Sequence, residues 1–254
     1  MINWYGCDDG QLTILKSERI TMKNSKDSKR ILDDFNEHGY HIEPGVFTPE
    51  ECDRLVAQSH DFENAKSGSY RPQMMPHRIK DEYLLALKNK KIIELIEIFC
   101  EGEPVGLQTE FFFCKPGTRG FSAHQDNFFV EANYGVFLSA WVALTDTYPE
   151  KGGLIVYPGS HKEGMLPVRK TNLTASSSQD PNANNEECVV PEVYKPIHAT
   201  VPKGSALFIH GQVVHASNAN VTDEFRHVIL CTYIRAGEKF RVGKYAQRNV
   251  VQLT

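Results

Sequence analysis

The sequence predicts a mainly β domain with helices in its N-terminal third, an α+β architecture. Two observations support this prediction. The N-terminal third carries apolar residues at helical spacing, whereas after Pro104 short runs rich in β-branched and aromatic residues alternate with Gly, Pro, Asn and Asp. Several short strands separated by turn residues are typical of a β-sandwich or barrel. A chain of 254 residues can form one domain of this kind.

Apolar spacing in the N-terminal third predicts two helical regions around a short extended piece. The spacing over residues 31–35 predicts a helix that ends near Gly39, and HIEPGVF at 41–47 is expected to be extended. Residues 79–99 carry apolar positions at helical spacing in two groups, which predicts a helix in two parts.

Another helix is predicted to begin just after Thr48. Threonine is a preferred N-cap residue, Pro49 is suited to the first helical position, and Glu51 has the spacing that completes a capping box.

The remaining apolar runs give the predicted strands and the domain limits. The expected strands cover 107–114, 136–144, 154–157, 206–210 and 226–234. Residues 171–187 have almost no apolar side chains and predict a long loop, either a substrate-facing lid or an insertion without a role. We therefore expect a single domain over 1–254, with a helical part at about 26–100 and a β core at about 105–240.

Composition excludes several classes of function. The formal net charge is −4, with 28 basic and 32 acidic side chains, whereas nucleic-acid binders need a basic surface that neutralises phosphates. The sequence contains no run of about twenty apolar residues, which is the length needed to span a bilayer. The first residues do not resemble a secretory signal, and the six cysteines form no CxxC pair, which argues against structural zinc and a disulfide framework. A cytoplasmic protein is expected. Its oligomeric state is not readable from these features.

The triplet His124-Gln125-Asp126 is the first candidate for chemistry. In a strand, residues i and i+2 point to the same face, so both potential ligands are expected to face a barrel interior while Gln125 points away. Two histidines and one carboxylate on one face form the site of many non-haem Fe(II) oxygenases. An HxD triplet alone is a weak signal, because a surface histidine would look the same.

A second motif lies downstream. His215 follows a β-run, and Arg226 comes eleven residues later at the start of the next one. An arginine fork can hold a carboxylate through two parallel hydrogen bonds. On an extended strand Arg226 would share a face with Val228, Leu230 and Thr232.

Four segments follow one another along the chain, and the first and last of them carry these residues: FFFCKPGTRGFSAHQDN, SAWVALTD, KGGLIVYPGSHKEG and ALFIHGQVVHASNANVTDEFR. Together they resemble the phytanoyl-CoA dioxygenase family of Fe(II)/2-oxoglutarate oxygenases, over roughly residues 105–235. The resemblance implies a double-stranded β-helix (jelly roll, cupin-like) with N-terminal helices packed on the outer sheet.

The resemblance also implies the ligand set and the chemistry. His124, Asp126 and His215 match the iron ligands, and Arg226 matches the residue that pairs with the C5 carboxylate of 2-oxoglutarate. The implied reaction uses Fe(II), 2-oxoglutarate and O2, releases succinate and CO2, and oxidises an unactivated C–H bond. Related halogenases carry Ala or Gly in place of the acidic ligand, so Asp126 favours hydroxylation.

Further positions match the co-substrate pocket of the family. Ser217 matches a hydrogen-bonding position, and Trp141 and Phe111 match pocket-lining positions, although core aromatic residues would give the same pattern. The family often has an upstream basic residue that contacts 2-oxoglutarate, for which His77 and Arg78 are both candidates.

The residues are compatible with two classes of substrate. A CoA thioester would need basic residues for its phosphates, and loop residues such as Lys162 and Arg169 could serve. Polar Gln108 and Asn127 near the predicted metal instead suggest contacts with a small polar molecule. Desaturation, epimerisation or ring formation use the same ligands, and a non-catalytic cupin-like metal-binding protein is the alternative from another class.

Overall fold

The computed structural model of the protein describes residues 26–170 and 186–254, so most of the predicted loop 171–187 lies outside the described residues. The helices are α1 (Lys26–His38), α2 (Pro49–Ser59), α3 (Glu63–Lys66), α4 (Asp81–Leu87), α5 (Lys90–Phe99) and α6 (Asn127–Val130), with 3-10 turns at Pro76–Arg78 and Ser160–Glu163. None of the helices in these two ranges is long and apolar enough to span a membrane.

The strands are β1 (Tyr40–Glu43), β2 (Gln73–Met74), β3 (Pro104–Phe112), β4 (Phe137–Ala143), β5 (Leu154–Val156), β6 (Val168–Lys170), β7 (Glu186–Cys188), β8 (Ile197–His198), β9 (Ala206–His210), β10 (His215–Ser217) and β11 (Val228–Arg235). A six-stranded sheet has the order β1-β9-β4-β11-β3-β2, and a three-stranded sheet has the order β10-β5-β8. The pairings within both sheets are antiparallel. The protein therefore combines helices with antiparallel sheets.

The helix predictions are confirmed. Helix α1 ends at His38, and Gly39 then adopts a φ of 78°, which a residue with a β-carbon reaches only under strain. The Thr48 hydroxyl accepts a hydrogen bond from the Glu51 amide, and the Glu51 carboxylate accepts one from the Thr48 amide. This reciprocal capping box fixes the start of α2.

The large sheet is buried on both faces. One face packs against the N-terminal helices in a core that includes Phe35, Leu95, Phe111 and Phe208. The other face packs against the small sheet. Side chains alternate along each strand, so neighbouring residues of β3 and β11 belong to different layers. This alternation decides which of them reach the space between the sheets.

Three buried histidines predict acid sensitivity of the fold. Burial lowers the pKa of His77 to about 4, that of His210 to about 3 and that of His227 to about 4, from 6.5. Since the unfolded chain binds these protons at higher pH, stability is complete above pH about 6.5 and falls as the pH drops toward 4. Each histidine contributes a slope of up to about 1.4 kcal/mol per pH unit.

Urea unfolding at pH 7.5 and pH 5 measures this effect. His227 stacks on Phe225 at 5.5 Å between ring centroids, so His227→Phe replaces it with another aromatic ring. The variant should lose the contribution of one proton to the slope of the unfolding free energy against pH. Equal stability of the wild type at the two pH values would contradict the prediction.

Candidate metal centre

Three potential metal ligands converge between the two sheets. One ligand atom each from His124, Asp126 and His215 lies within 4.8 Å of the others. The Asp126 Oδ1 is 3.7 Å from His124 Nε2 and 3.6 Å from His215 Nε2. A cation bound at roughly 2.1 Å from each atom would need only small side-chain movements. The sequence-based expectation that these three residues lie together agrees with this geometry.

The backbone holds the two histidines against each other. His124 and His215 form an antiparallel bridge in which each amide donates to the other's carbonyl, at 2.9 and 3.0 Å. Their Nδ1 atoms lie 2.7 Å from the Ser122 carbonyl and 3.3 Å from the Val213 carbonyl. A proton on Nδ1 satisfies those carbonyls and leaves each Nε2 lone pair for a metal. Burial, together with the neighbouring His215, lowers the pKa of His124, which keeps its imidazole neutral.

Asp126 reaches the site from a different local conformation than predicted. The extended pattern expected for the triplet is wrong at this residue, which has φ −57° and ψ −34° and serves as the N-cap of α6. The chain turns into a helix directly after the bridge, and this turn brings the carboxylate beside the imidazoles. The Ser139 hydroxyl on β4 donates to Asp126 Oδ2 at 2.7 Å, which leaves Oδ1 directed at the histidines.

Gln125 has a structural role that the sequence did not indicate. It points away from the ligands, as predicted, but it is fully buried. Its amide nitrogen donates to the carbonyls of Gly164 at 2.7 Å and Gln212 at 2.6 Å, and its oxygen accepts from the Leu166 amide at 2.8 Å. Through these bonds Gln125, which lies between the two ligands in the sequence, is fixed to the backbone at three other positions.

Gln125→Met is therefore expected to weaken metal binding about 10- to 100-fold, as loss of outer-shell support does at other metal sites. It should also reduce stability by about 1–3 kcal/mol, because buried backbone groups lose their partners. Chelator competition and thermal unfolding measure the two effects. Gln252→Met, at an exposed glutamine, is the control. Unchanged metal affinity in Gln125→Met would contradict the assigned support role.

A cavity of about 530 Å³ extends from these ligands in two directions. At its inner end Arg226 is 2% exposed, and its Cζ lies 5.4 Å from the centre of the Trp141 ring. Arg226 Nη1 donates to the Gly152 carbonyl at 2.6 Å, whereas Nε has no hydrogen-bond partner among the described residues. Burial lowers the pKa of this guanidinium. Burying a cation whose donor has no partner costs desolvation free energy unless an anion binds it, so a carboxylate is suited to this end of the cavity.

Most of the predicted co-substrate and substrate residues line the cavity. Arg226, Ser217, Trp141 and Gln108 all do. Arg226 lies just before β11, and its amide donates to the Cys114 carbonyl at 3.1 Å, which extends the pairing with the β3 segment. The Ser217 hydroxyl accepts from the Phe121 amide at 2.8 Å, so its own proton remains available to a bound anion.

Phe111 lies on the opposite face of the sheet, so its predicted contact with the co-substrate is wrong. It is fully buried in the core formed with the helices, 5.8 Å from Tyr83 and 4.9 Å from Phe113 between ring centroids. Because side chains alternate along β3, its neighbour Phe112 lines the cavity instead.

The structure also does not place Asn127, His77 or Arg78 on the cavity wall. Both polar atoms of the Asn127 side chain bind the backbone of Ala132 at 2.9 Å, which closes the turn after α6. His77 Nδ1 lies 2.7 Å from the Thr109 hydroxyl. The Arg78 guanidinium binds the Gln247 carbonyl at 2.7 Å and the Asn249 side chain.

Several residues around the site were missed at the sequence level. Ser139 orients Asp126, and the far end of the cavity is formed by side chains from β3, β11 and the C-terminal segment 241–248. Those lining residues include Glu110, Thr232, Arg241, Lys244 and Arg248. Alternation from Gln108 could have identified Glu110, whereas the segment 241–248 has no sequence pattern that places it there.

A family model described as phytanoyl-CoA dioxygenase (PhyH) matches residues 35–228, more than half of the chain. This protein belongs to the phytanoyl-CoA dioxygenase family. The matched range contains the three potential metal ligands and Arg226.

Individual relatives show more limited similarity. The phytanoyl-CoA dioxygenase domain-containing protein 1 of Danio rerio is 36% identical over 127 residues, covering 49% of this chain and 43% of that protein. Ectoine dioxygenase from Stutzerimonas stutzeri is 24% identical over 243 residues, covering 85% and 79%. The chain spans about half the length of the first curated relatives it matches.

A solved structure shares the fold. The epimerase SnoN, in complex with Fe3+, alpha ketoglutarate and nogalamycin RO, superposes with a TM-score of 0.67 at 21% identity, covering 85% of this chain and 86% of that one. The donor set of this protein, two imidazoles and one carboxylate whose ligand atoms lie within 4.8 Å of one another, also fits Fe(II).

Proposed function

We propose that the protein is an Fe(II)/2-oxoglutarate-dependent dioxygenase that hydroxylates an unactivated C–H bond of a small organic molecule. The observation that carries the proposal is the arrangement of His124, Asp126 and His215 on the wall of a cavity that has a buried arginine at its inner end. Family membership and the likeness to SnoN support it.

The two ends of the cavity have separate roles in this proposal. At the inner end Arg226 binds the distal carboxylate of 2-oxoglutarate, and the Ser217 hydroxyl donates a second hydrogen bond. Phe112, Trp141 and Leu154 form apolar walls there, which exclude water and strengthen the charge pairing. The keto-acid end then extends toward His124, Asp126 and His215.

The iron, when bound, supplies the activation of O2. The overall reaction converts substrate, 2-oxoglutarate and O2 into hydroxylated product, succinate and CO2, with one oxygen atom entering succinate and the other the product. The chain's own contribution is to leave the Nε2 atoms of both imidazoles available to the metal, to direct Asp126 Oδ1 at it and to orient both organic molecules.

We also propose the finer architecture that the family suggests. In this proposal the six- and three-stranded sheets form the double-stranded β-helix, and residues 1–254 act as a single catalytic domain with its core at about 105–240. The position of the candidate ligands between the sheets, and the packing of the N-terminal helices on the other face of the large sheet, support this arrangement.

A small polar substrate is favoured over a CoA thioester. Lys162 pairs with Glu37 at 2.6 Å and Arg169 pairs with Glu187 at 2.8 Å, and neither basic residue lines the cavity. The basic residues that do line the cavity, Arg241, Lys244 and Arg248, belong to one short segment beside buried polar residues such as Gln108. Together these suit a small molecule.

Epimerisation is the second candidate outcome, because SnoN is described as an alpha ketoglutarate-dependent epimerase. It uses the same co-substrate, so only analysis of the product can distinguish it from hydroxylation. The non-catalytic alternative predicts that metal binds without any spectral response to 2-oxoglutarate.

Anaerobic titration tests the proposal directly. Fe(II) and 2-oxoglutarate together should give a visible absorption band that neither gives alone, and air should then yield succinate. The oxygenase assignment fails if no 2-oxoglutarate-dependent band forms and no compound stimulates succinate release.

A further inference from the structure

The outer end of the cavity, on the side away from Arg226, has a polar character of its own. We call it the outer chamber and define it by Met74, Gln108, Glu110, Thr232, Lys244 and Arg248. Strand pairing places Thr232 directly opposite Gln108. The segment 241–248 supplies the remaining wall, so strands and the C-terminal segment enclose the chamber together.

The strand wall presents unused hydrogen-bonding atoms. Gln108 is 6% exposed and Thr232 is 4% exposed, and both Gln108 Oε1 and Thr232 Oγ1 have no hydrogen-bond partner among the described residues. The Gln108 amide nitrogen donates to Glu110 Oε2 at 3.4 Å, which leaves its oxygen as an acceptor. Buried polar atoms are normally paired, so these two atoms indicate contacts with a bound molecule. That molecule must offer an N–H or O–H to Gln108.

The C-terminal wall presents positive charge. Arg248 is 9% exposed, and its Nη1 donates to the carbonyls of Phe129 at 3.2 Å and Arg241 at 3.3 Å. Lys244 is exposed at the rim, where its only described side-chain contact is the Tyr245 ring at 5.5 Å. Arg241 is neutralised by Glu131 at 2.7 Å.

Two cations, Lys244 and Arg248, therefore line a chamber whose own carboxylate is Glu110. The Asp126 carboxylate, which also acts on Arg248, is directed at His124 and His215 and in the proposed function binds the metal. The charge balance favours a ligand with an anionic group, because that group can pair with the cation that Glu110 leaves unbalanced. A donor group on the same ligand would meet Gln108, Glu110 and Thr232.

We propose that the outer chamber selects a small substrate that carries an anionic group, held by Arg248 and Lys244, and an amine or hydroxyl donor, held by Gln108, Glu110 and Thr232. This inference rests on the proposed function, and it specifies the substrate class. Carboxylate and phosphate share the required chemistry, and the experiment below distinguishes them.

Binding is measured through the anaerobic Fe(II)/2-oxoglutarate absorption band, which a molecule placed next to the metal should perturb. The panel contains free amino acids, their N-acetyl derivatives, their primary amides, O-phosphorylated amino acids and neutral polyols. We expect acids or phosphates with a donor group to perturb the band, and their amides to bind at least tenfold more weakly. A band that forms but responds to no anionic compound, or responds better to neutral or cationic ones, overturns the inference. Absence of the band itself indicates that the proposed function has failed.

Charge variants test the residues with whichever anionic compound perturbs the band most. Lys244→Gln should weaken its binding about threefold and Arg248→Gln tenfold or more, with 2-oxoglutarate affinity unchanged. Arg248→Lys should recover part of the loss, because the charge rather than the Phe129 contact is responsible. Lys239→Gln, two residues before segment 241–248 and outside the cavity lining, is the matched control. Equal binding by Arg248→Gln and the wild type, or a parallel loss of 2-oxoglutarate affinity, overturns the assignment.

Discussion

Asp126→Ala is expected to abolish the proposed hydroxylation while leaving the fold intact. The substitution removes the only carboxylate among the three potential ligands, and Oδ1 is the atom that both Nε2 atoms face, at 3.7 and 3.6 Å. This ligand charge contributes on the order of several kcal/mol to holding the metal and stabilising charge in the transition state, so its loss should reduce succinate formation by roughly a thousandfold or more. The carboxylate contributes little to packing, since its one hydrogen bond within residues 26–170 and 186–254 comes from the Ser139 hydroxyl.

Metal affinity, succinate release and circular dichroism should be measured together on Asp126→Ala. Asp33→Ala, at an exposed aspartate on α1, is the matched control and should behave as wild type. Ser139→Ala should give a smaller, graded loss of about 10- to 100-fold in metal affinity, because the ligand remains but is less well oriented. Wild-type activity in Asp126→Ala would show that the carboxylate is not a metal ligand.

Local patterns in the sequence were sufficient for most of the secondary structure. The capping residues of α2 and the helical spacing at 79–99 depend on residues within a few positions of each other, so they could be read directly. The predicted run 206–210 agrees with β9, and the other predicted strands differ from the structure by a few residues at their ends. Strand ends are set by pairing with distant segments, which a single sequence does not show.

The site shows the same division between local and distant information. His124, Asp126, His215 and Arg226 could be named because their spacing is specific, even though the extended backbone predicted at Asp126 was wrong. Phe111 was assigned to the pocket together with Gln108, and these residues differ in parity along β3, so the strand cannot direct both into the cavity. That contradiction was visible in the sequence.

The outer chamber could not have been predicted in this way. Its basic wall depends on segment 241–248 folding back across α6, where Arg241 and Arg248 both bind the Phe129 carbonyl, at 3.2 Å in each case. These contacts join positions more than a hundred residues apart, in a segment with neither strand nor helix periodicity. Asn127 was predicted to contact the substrate for a related reason. Its side chain binds the backbone of its own turn, and the sequence carries no distinctive signal for that contact.

Arg226→Leu is expected to eliminate productive 2-oxoglutarate binding. Removing one partner of a buried charge pair costs about 2–5 kcal/mol, so affinity should fall by about 30- to 5000-fold. The ligand-free protein should respond differently. There the guanidinium is 2% exposed with only one described hydrogen bond, to the Gly152 carbonyl, so its desolvation works against folding. Leucine removes that desolvation cost, and the ligand-free variant should be at least as stable as wild type.

Urea unfolding with and without 2-oxoglutarate separates these two effects. Wild type should gain stability as the co-substrate concentration rises above its dissociation constant, because 2-oxoglutarate binds only the folded state, whereas Arg226→Leu should gain almost none. Arg226→Lys keeps the charge but loses the planar fork, so its affinity should fall between the two. A ligand-free Arg226→Leu protein that is several kcal/mol less stable than wild type would contradict this account, because it would mean that the arginine is a structural cation rather than a binding site held ready for an anion.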